Sequence, residues 1–358
     1  MPYYPETTII QGLARIQRER RLPPTAEPRQ THTIQGAPVD PIHVVLEGDL
    51  LKDFRILDVA KLLNIRDPEF ATTAITAQVG RVQIGQELAR RGKGRRAKVL
   101  QSPADGVIVG IEGSRIIMQV AERSIEILAR IQGEIISAEP HVVKMTGNGA
   151  LIQCAWGNGG FCYEAYRWLP EEGFVGLSKL DVRISEYRNV VIVTPEPINK
   201  GDLLVAQQQE VAGVVAPSMP ANLREFAMQL KFPVLLTEGF GSRRPTGLIY
   251  TLLQSNMGRQ AAFDAVVPDR WSWERPEIMI PLPSGGALPP TPVLDKVLDL
   301  GSQVRITRAP WDGLIGEVVD FPAAPQVVGS GLRLPSAKIM LSNGQAVMVP
   351  LANLELLG

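Results

Sequence analysis

VGRVQIGQELARRGKGRRAKVLQSPADGVIVGIEGSRIIMQV, Val79 to Val120, decides the fold class of this chain. It strings together the short apolar runs RVQIG, AKVLQS, GVIVGI and RIIMQV, with Gly, Pro and Asp between them. Runs of that length and punctuation make strands and tight turns, the pattern of a small barrel or sandwich. The pattern continues through IEILARI, GEIISA, HVVKM and ALIQCAW towards Leu169. Inside it lies an echo. Setting Gly106 against Gly133 also aligns Ile108 with Ile135, Val109 with Ile136, Ile116 with Val143 and Met118 with Met145. Such self-similarity points to a quasi-two-fold arrangement.

Working outward, the 358 residues are too many for one ordinary domain. Aromatic residues are few, at 6%, while 33 Gly and 29 Pro imply many turns and short elements. Basic and acidic residues balance at 37 each, so any contact with a polyanion has to come from a local patch. Two cysteines, Cys154 and Cys162, are too few for a disulfide framework, and a cytoplasmic location is expected. No apolar run is long enough to span a membrane, and MPYYPETTII lacks the features of a secretory signal.

Upstream, Ile9, Ile10, Leu13 and Ile16 fall at helical spacing between Glu6 and Arg21, with four arginines on and beyond the other face. The expectation is a basic amphipathic helix capped by Thr7 or Thr8 and stopped at Pro23-Pro24, followed by a connector. HVVLEG reads as a strand. RILDVAKLLNI reads as a helix capped by Asp53, and Pro68 closes the region. Downstream, NVVIVT, VAGVVAP and FPVLLTEGFG read as strands of a small mixed or parallel sheet, the second apolar enough to be buried on both faces. A helix opened by Ser218 or Pro220 is expected to run through Leu230, another from Thr246 to Asn256, and PEIMIPLP returns as a strand. The Pro- and Gly-rich stretch from Pro281 to Pro292 is a domain boundary. The expected fold class is therefore multidomain and mainly β with an α/β segment. The divisions are 1–38 (helix and connector), 39–172 (strand–helix element and β module), 173–283 (α/β), 284–297 (linker) and 298–358 (terminal barrel).

Two segments resemble known families. VGRV, GQELA and SPADGVI (Val79–Val82, Gly85–Ala89 and Ser102–Ile108) are similar to the biotinyl/lipoyl-type barrel-sandwich hybrid. That resemblance implies pseudo-symmetric halves turned at glycines. A carrier of this kind needs a lysine at a hairpin tip, whereas Lys144 in HVVKM reads as a strand position, so no cofactor is expected. Gly301, Val304, Ile306, Pro310-Trp311, Gly313, Gly316 and Val318 resemble the KOW motif of NusG-type transcription factors and certain ribosomal proteins. Ala309 departs from the glycine that is usual there. This second resemblance implies an SH3-like barrel, completed by strands around the Asn343-Gly344 turn, that binds RNA, ribosomal protein or polymerase.

The candidate polyanion-binding residues are Arg90, Arg91, Lys93, Arg95 and Arg96, spaced by Gly92 and Gly94, with Arg305, Arg308 and Trp311 extending them from the barrel. Candidate ligand-binding residues are Ser218, Glu238, Gly239, Gly241, Arg243 and Arg244, which fall at strand carboxyl ends if the sheet is parallel. Neither Cys154 and Cys162 nor His141 has the spacing of a metal or nucleophile site, so no metal and no catalytic residue is expected. The function expected is that of a non-enzymatic binding or scaffold protein, transcription- or translation-associated. It would dock on a protein or ribonucleoprotein partner, with nucleic acid as a further candidate. The competing expectation is an enzyme or small-molecule or anion sensor working through the α/β segment.

Overall fold

The computed structural model describes residues 3–29, 33–269, 274–293 and 295–358. It is mainly β, with 45% strand and 13% helix in several sheets, one curled into a half-barrel. The chain opens with strands, not a helix: β1 (Glu6–Thr8) and β2 (Ile10–Arg21). β2 pairs antiparallel with a long strand, Val142–Gln153, over almost its whole length. Its inward positions are Ala14, Ile16, Arg18 and Arg20, a period of two. Arginine at two inward positions hides the alternation, which is why the apolar residues alone suggest a helix.

After β3 (Ala26–Pro28) and β4 (Pro38–Val39), β5 runs from Val44 to Asp58 and takes in the start of the expected second helix, from Arg55 to Asp58. Cross-strand pairing with Arg115–Leu128 overrides the helical spacing there. Helix α1 (Val59–Leu62) is capped by Asp58 instead of Asp53, and Pro68 begins α2 (Pro68–Thr73) instead of ending the region. Then come β6 (Gly80–Val82), β7 (Glu87–Arg91), β8 (Lys98–Gln101), β9 (Gly106–Glu112), β10 (Arg115–Leu128), β11 (Gly133–Glu139) and β12 (Val142–Gln153).

The echo is a structural repeat. β9–β10 pairs Ile108 with Met118, and β11–β12 pairs Ile135 with Met145. Both hairpins are bulged at the matched residues Val109 and Ile136. The flanking strands match too. Val82 of β6 lies against Gly106, and Val39 of β4 against Gly133. Arg55 of β5 faces Met118, and Arg18 of β2 faces Met145. The order β6-β9-β10-β5 thus repeats β4-β11-β12-β2, and in the chain the first unit is nested inside the second. At Gly106 and Gly133 a Cβ would collide with the carbonyl oxygen of Gln119 or Thr146, so only glycine permits the approach. Lys144 lies within β12, beside Glu19 at 3.7 Å.

β5 and β10 form a long ribbon whose two ends enter different cores. Val45, Leu46, Ile125 and Ile127 pack into one with Ile16 and Met145. Leu57, Ile116 and Met118 pack into a satellite core with Val59, Leu63, Leu88 and Ile108. The satellite, residues 59–118, stands at the far end of that ribbon.

β13 (Trp156–Gly157), β14 (Phe161–Trp168), α3 (Gly173–Leu177), β15 (Val191–Val193), α4 (Lys200–Gln208), β16 (Gly213–Met219), α5 (Arg224–Met228), β17 (Val234–Phe240) and α6 (Gly247–Ser255) make the α/β segment. Strands β14, β15, β16 and β17 are parallel in that order, and every residue of β16 is buried. Ser218 belongs to β16 and caps no helix, while Pro220 precedes a 3-10 turn that leads into the short α5. β18 (Gln260–Asp264) and β19 (Glu277–Pro281) join this sheet to β12. The terminal unit holds β20 (Gln303–Ile306), β21 (Ile315–Asp320), the arm β22–β23 (Gln326–Val327 and Arg333–Leu334), β24 (Ser336–Leu341), β25 (Ala346–Pro350) and β26 (Leu354–Leu357). Its sheet order is β1-β26-β20-β21-β24-β25, with β1 added in parallel to β26. The β24–β25 turn contains Gly344 at φ 82°, as Asn343-Gly344 suggested. Among the described residues no helix is long and apolar enough to cross a membrane.

Gly133→Ala is expected to lower stability by about 3 kcal/mol, because a main-chain carbonyl blocks the new methyl. Gly110→Ala meets nothing within 4 Å and should change stability by less than about 1 kcal/mol. Urea unfolding of the two variants checks the pair.

Candidate functional site

Three clusters of charged side chains stand out, and they differ in how much of their charge is already spent. The first is the β7–β8 hairpin, whose tip turns on Gly92 and Gly94 at φ 85° and 68°. Two of its arginines are occupied. Arg90 pairs with Glu87, and the Arg91 guanidinium donates to the carbonyls of Leu63, at 2.9 Å, and of Asn64. The side chains of Lys93, Arg96 and Lys98 are exposed and make no hydrogen bond or ion pair among the described residues. The Arg95 side chain lies outside the described residues. Below the hairpin opens a hollow of about 890 Å³ lined by Lys61, Asn64, Arg66, Asp67, Phe70 and Arg91. Residues 59–118 hold ten basic and five acidic residues, so the remainder of this neutral chain carries the compensating acid excess. The loop is contiguous in the sequence, whereas Lys61, Arg66 and Phe70 reach it only through the packing of α1 and α2.

The second cluster joins the α/β segment to the terminal sheet. Ser218 and Glu238 lie near the carboxyl ends of β16 and β17, Arg243 and Arg244 follow β17, and each is bonded to a neighbouring group. The Ser218 hydroxyl donates to the Arg243 carbonyl at 2.9 Å and accepts from the Arg243 N–H at 2.8 Å. Glu238 accepts from the Thr246 N–H at 3.0 Å and pairs with Arg305. Arg305 also donates to Glu355 at 2.8 Å, and Thr8 donates to the same carboxylate. Arg243 reaches Asp312 at 3.0 Å, and Arg244 reaches Glu196 at 3.1 Å. Gly239 and Gly241, at φ 91° and 122°, turn the chain between these residues. Burial pushes the Glu238 carboxyl up from its ordinary pKa, and the Arg305 charge opposes that. The Arg305 side chain, which the sequence placed on a polyanion surface, is 7% exposed and shared between Glu238 and Glu355. Arg308 is exposed, and Trp311, half-buried, packs against the core of the terminal sheet.

The third cluster was not foreseen. Arg18 forks onto Glu277, and Arg20 and Arg130 converge on Asp264, along a cleft of about 640 Å³ beside β2. Burial raises the Asp264 pKa, with Arg130 and Arg20 holding it down. Period-two reading of Ala14, Ile16, Arg18 and Arg20 is the signal that would have found it. Cationic and anionic side chains alternate along the cleft and satisfy each other, the pattern of a paired polar core.

Cys154 is buried and burial raises its pKa, while the Cys162 thiol is pushed up to about 12, also chiefly by burial. Among the described residues no three His, Cys, Asp or Glu are placed to hold a metal ion. No protein-family model matches the chain, and no curated protein matches it.

Arg305→Ala should cost about 3–5 kcal/mol, since it strands two buried carboxylates. Arg244→Ala, at an exposed pair, should cost under about 1 kcal/mol. Thermal and urea melts of the two variants distinguish a structural joint from a surface contact.

Proposed function

We propose that the protein is a non-enzymatic binding or scaffold protein that docks on a nucleoprotein or protein partner through small β modules, with the satellite as its polyanion contact. The observation that carries this reading is the contrast in charge use. Arginines at the α/β junction and in the β2 cleft are bonded internally, whereas Arg66, Lys93, Arg96 and Lys98 have no partner among the described residues. Unpaired cations on a protruding hairpin are the electrostatic footprint of phosphate or carboxylate recognition.

The reading of residues 298–358 as a KOW-type, SH3-like barrel is supported by the antiparallel run β20-β21-β24-β25 and by the 3-10 turn Leu351–Asn353 ahead of β26. The lipoyl-type reading of the N-terminal half draws on the repeated hairpins and their glycines. In both cases the use proposed is docking. The terminal barrel spends Arg305 on its own joint and Trp311 on its own core, which favours a protein partner for that module. A cytoplasmic setting and a transcription- or translation-associated role belong to the same proposal.

Fluorescence anisotropy of the full chain against labelled heparin and mixed-sequence RNA, at about 50 and about 200 mM salt, tests the polyanion contact. Lys93→Glu with Arg96→Glu should weaken binding about tenfold at the lower salt and flatten the salt dependence. Absence of binding at low salt, or a variant that binds like the native chain, would refute it.

A further inference from the structure

We infer that the hollow beneath the β7–β8 hairpin is a binding site for single-stranded nucleic acid, in which an unpaired base stacks on Phe70 while the hairpin follows the phosphates. The inference rests on the polyanion reading above and narrows it to a substrate class.

The packing of α2 supplies the first argument. Its inward positions are filled by small residues: Ala71 and, at the helix's end, Ala74 sit in the satellite core. The largest side chain of the helix, Phe70, points the other way and is 49% exposed. Burying a phenylalanine fully stabilises a fold by roughly 1.5–3 kcal/mol, so a helix that turns alanines inward and leaves its phenylalanine half-exposed forgoes about half of that gain. The ring lines the hollow beside Lys61, Arg66 and Arg91. A flat apolar face among cations fits a flat apolar ring carried on a polyanion.

Geometry then favours a single strand. The hollow, at about 890 Å³, is open and of the size of a ligand site. A duplex keeps its bases stacked and presents phosphates to such a concavity, so it could use the cations but not the ring. An unpaired base reaches both. Arg91 is fixed as a wall because its guanidinium is tied to the Leu63 and Asn64 carbonyls. Arg66 has no partner among the described residues, and the Lys61 ammonium, 3.7 Å from Asp58, is otherwise solvated. The one carboxylate on the wall, Asp67, is held by the Glu69 N–H at 3.0 Å. With the Asn64 amide it offers an acceptor and a mixed donor–acceptor to a base edge. Beyond Arg91 the tip carries Lys93, Arg96 and Lys98, so the charge runs out of the hollow along one hairpin, as a track for a backbone would.

The test uses the full chain and a fluorescein-labelled single-stranded RNA of about 12 nucleotides, with unlabelled duplex, heparin, an acidic peptide and anionic lipid vesicles as competitors. The single strand should bind about tenfold or more tightly than the duplex. Phe70→Ala should weaken single-strand binding about tenfold while leaving its salt dependence and the heparin affinity unchanged. Phe70→Leu keeps apolar bulk and removes the π-face, so the same loss is expected even if the alanine variant is poorly folded. Phe70→Trp should bind at least as tightly as the native chain. If Phe70→Leu binds RNA like the native chain, or if duplex, peptide or vesicles compete as well as the single strand, the inference is overturned while heparin binding leaves the polyanion reading standing. If no polyanion binds, both fall.

Discussion

Arg305 is the joint on which the arrangement of the modules depends. It comes from the first strand of the terminal sheet, reaches Glu238 at the carboxyl end of β17, and also holds Glu355, to which Thr8 of β1 donates. Four strands from three parts of the chain thus meet at one nearly dry guanidinium. Desolvating such a cluster costs several kcal/mol per ion, and the mutual attraction offsets this only because each carboxylate is bonded. Its value lies in position. Its two partners tie the terminal sheet to the carboxyl end of β17.

That joint also decides what the α/β segment can do. Parallel strands ordinarily offer their carboxyl ends to a ligand. Here Ser218, Glu238 and Arg243 lie at or just beyond the same ends, and each is bonded to a loop or to the terminal unit. The terminal unit occupies the place a ligand would take. The cations left without internal partners lie instead on the satellite at the far end of the β5–β10 ribbon, where the proposed contact is placed.

Much of the fold was legible. Alternation and turn residues mark the β-rich character, the uninterrupted apolar run of β16 marks a strand buried on both faces, and Asn343-Gly344 marks its hairpin. The misreadings share one physical cause. Local periodicity lost to long-range pairing in β2, where inward arginines broke the apolar alternation, and in the distal half of β5, where Phe54 and Ile56 stay exposed on a strand. Helix α4 was missed, although Asn199 and Asp202 form a reciprocal cap that the sequence displays. Of the candidate site, the basic loop was visible because its residues are contiguous. Phe70, Lys61 and Arg66 were not, since they reach the loop only through the folding of α1 and α2 onto the satellite core.

The nested repeat explains why one half carries accessible charge and the other does not. Arg18 and Arg55 occupy equivalent places, opposite Met145 and Met118 of matched hairpins. The outer unit is continuous with the large sheet through β19, and there Arg18 meets Glu277 across the same surface. In the inner unit no carboxylate is brought to Arg55 of β5, which is exposed and without a partner among the described residues. The same backbone design therefore has two electrostatic outcomes, set by whether another strand arrives to bring a carboxylate. Where one does, arginine becomes part of the core. Where none does, basic residues stay in water, and their charge is available to a partner that brings its own anions.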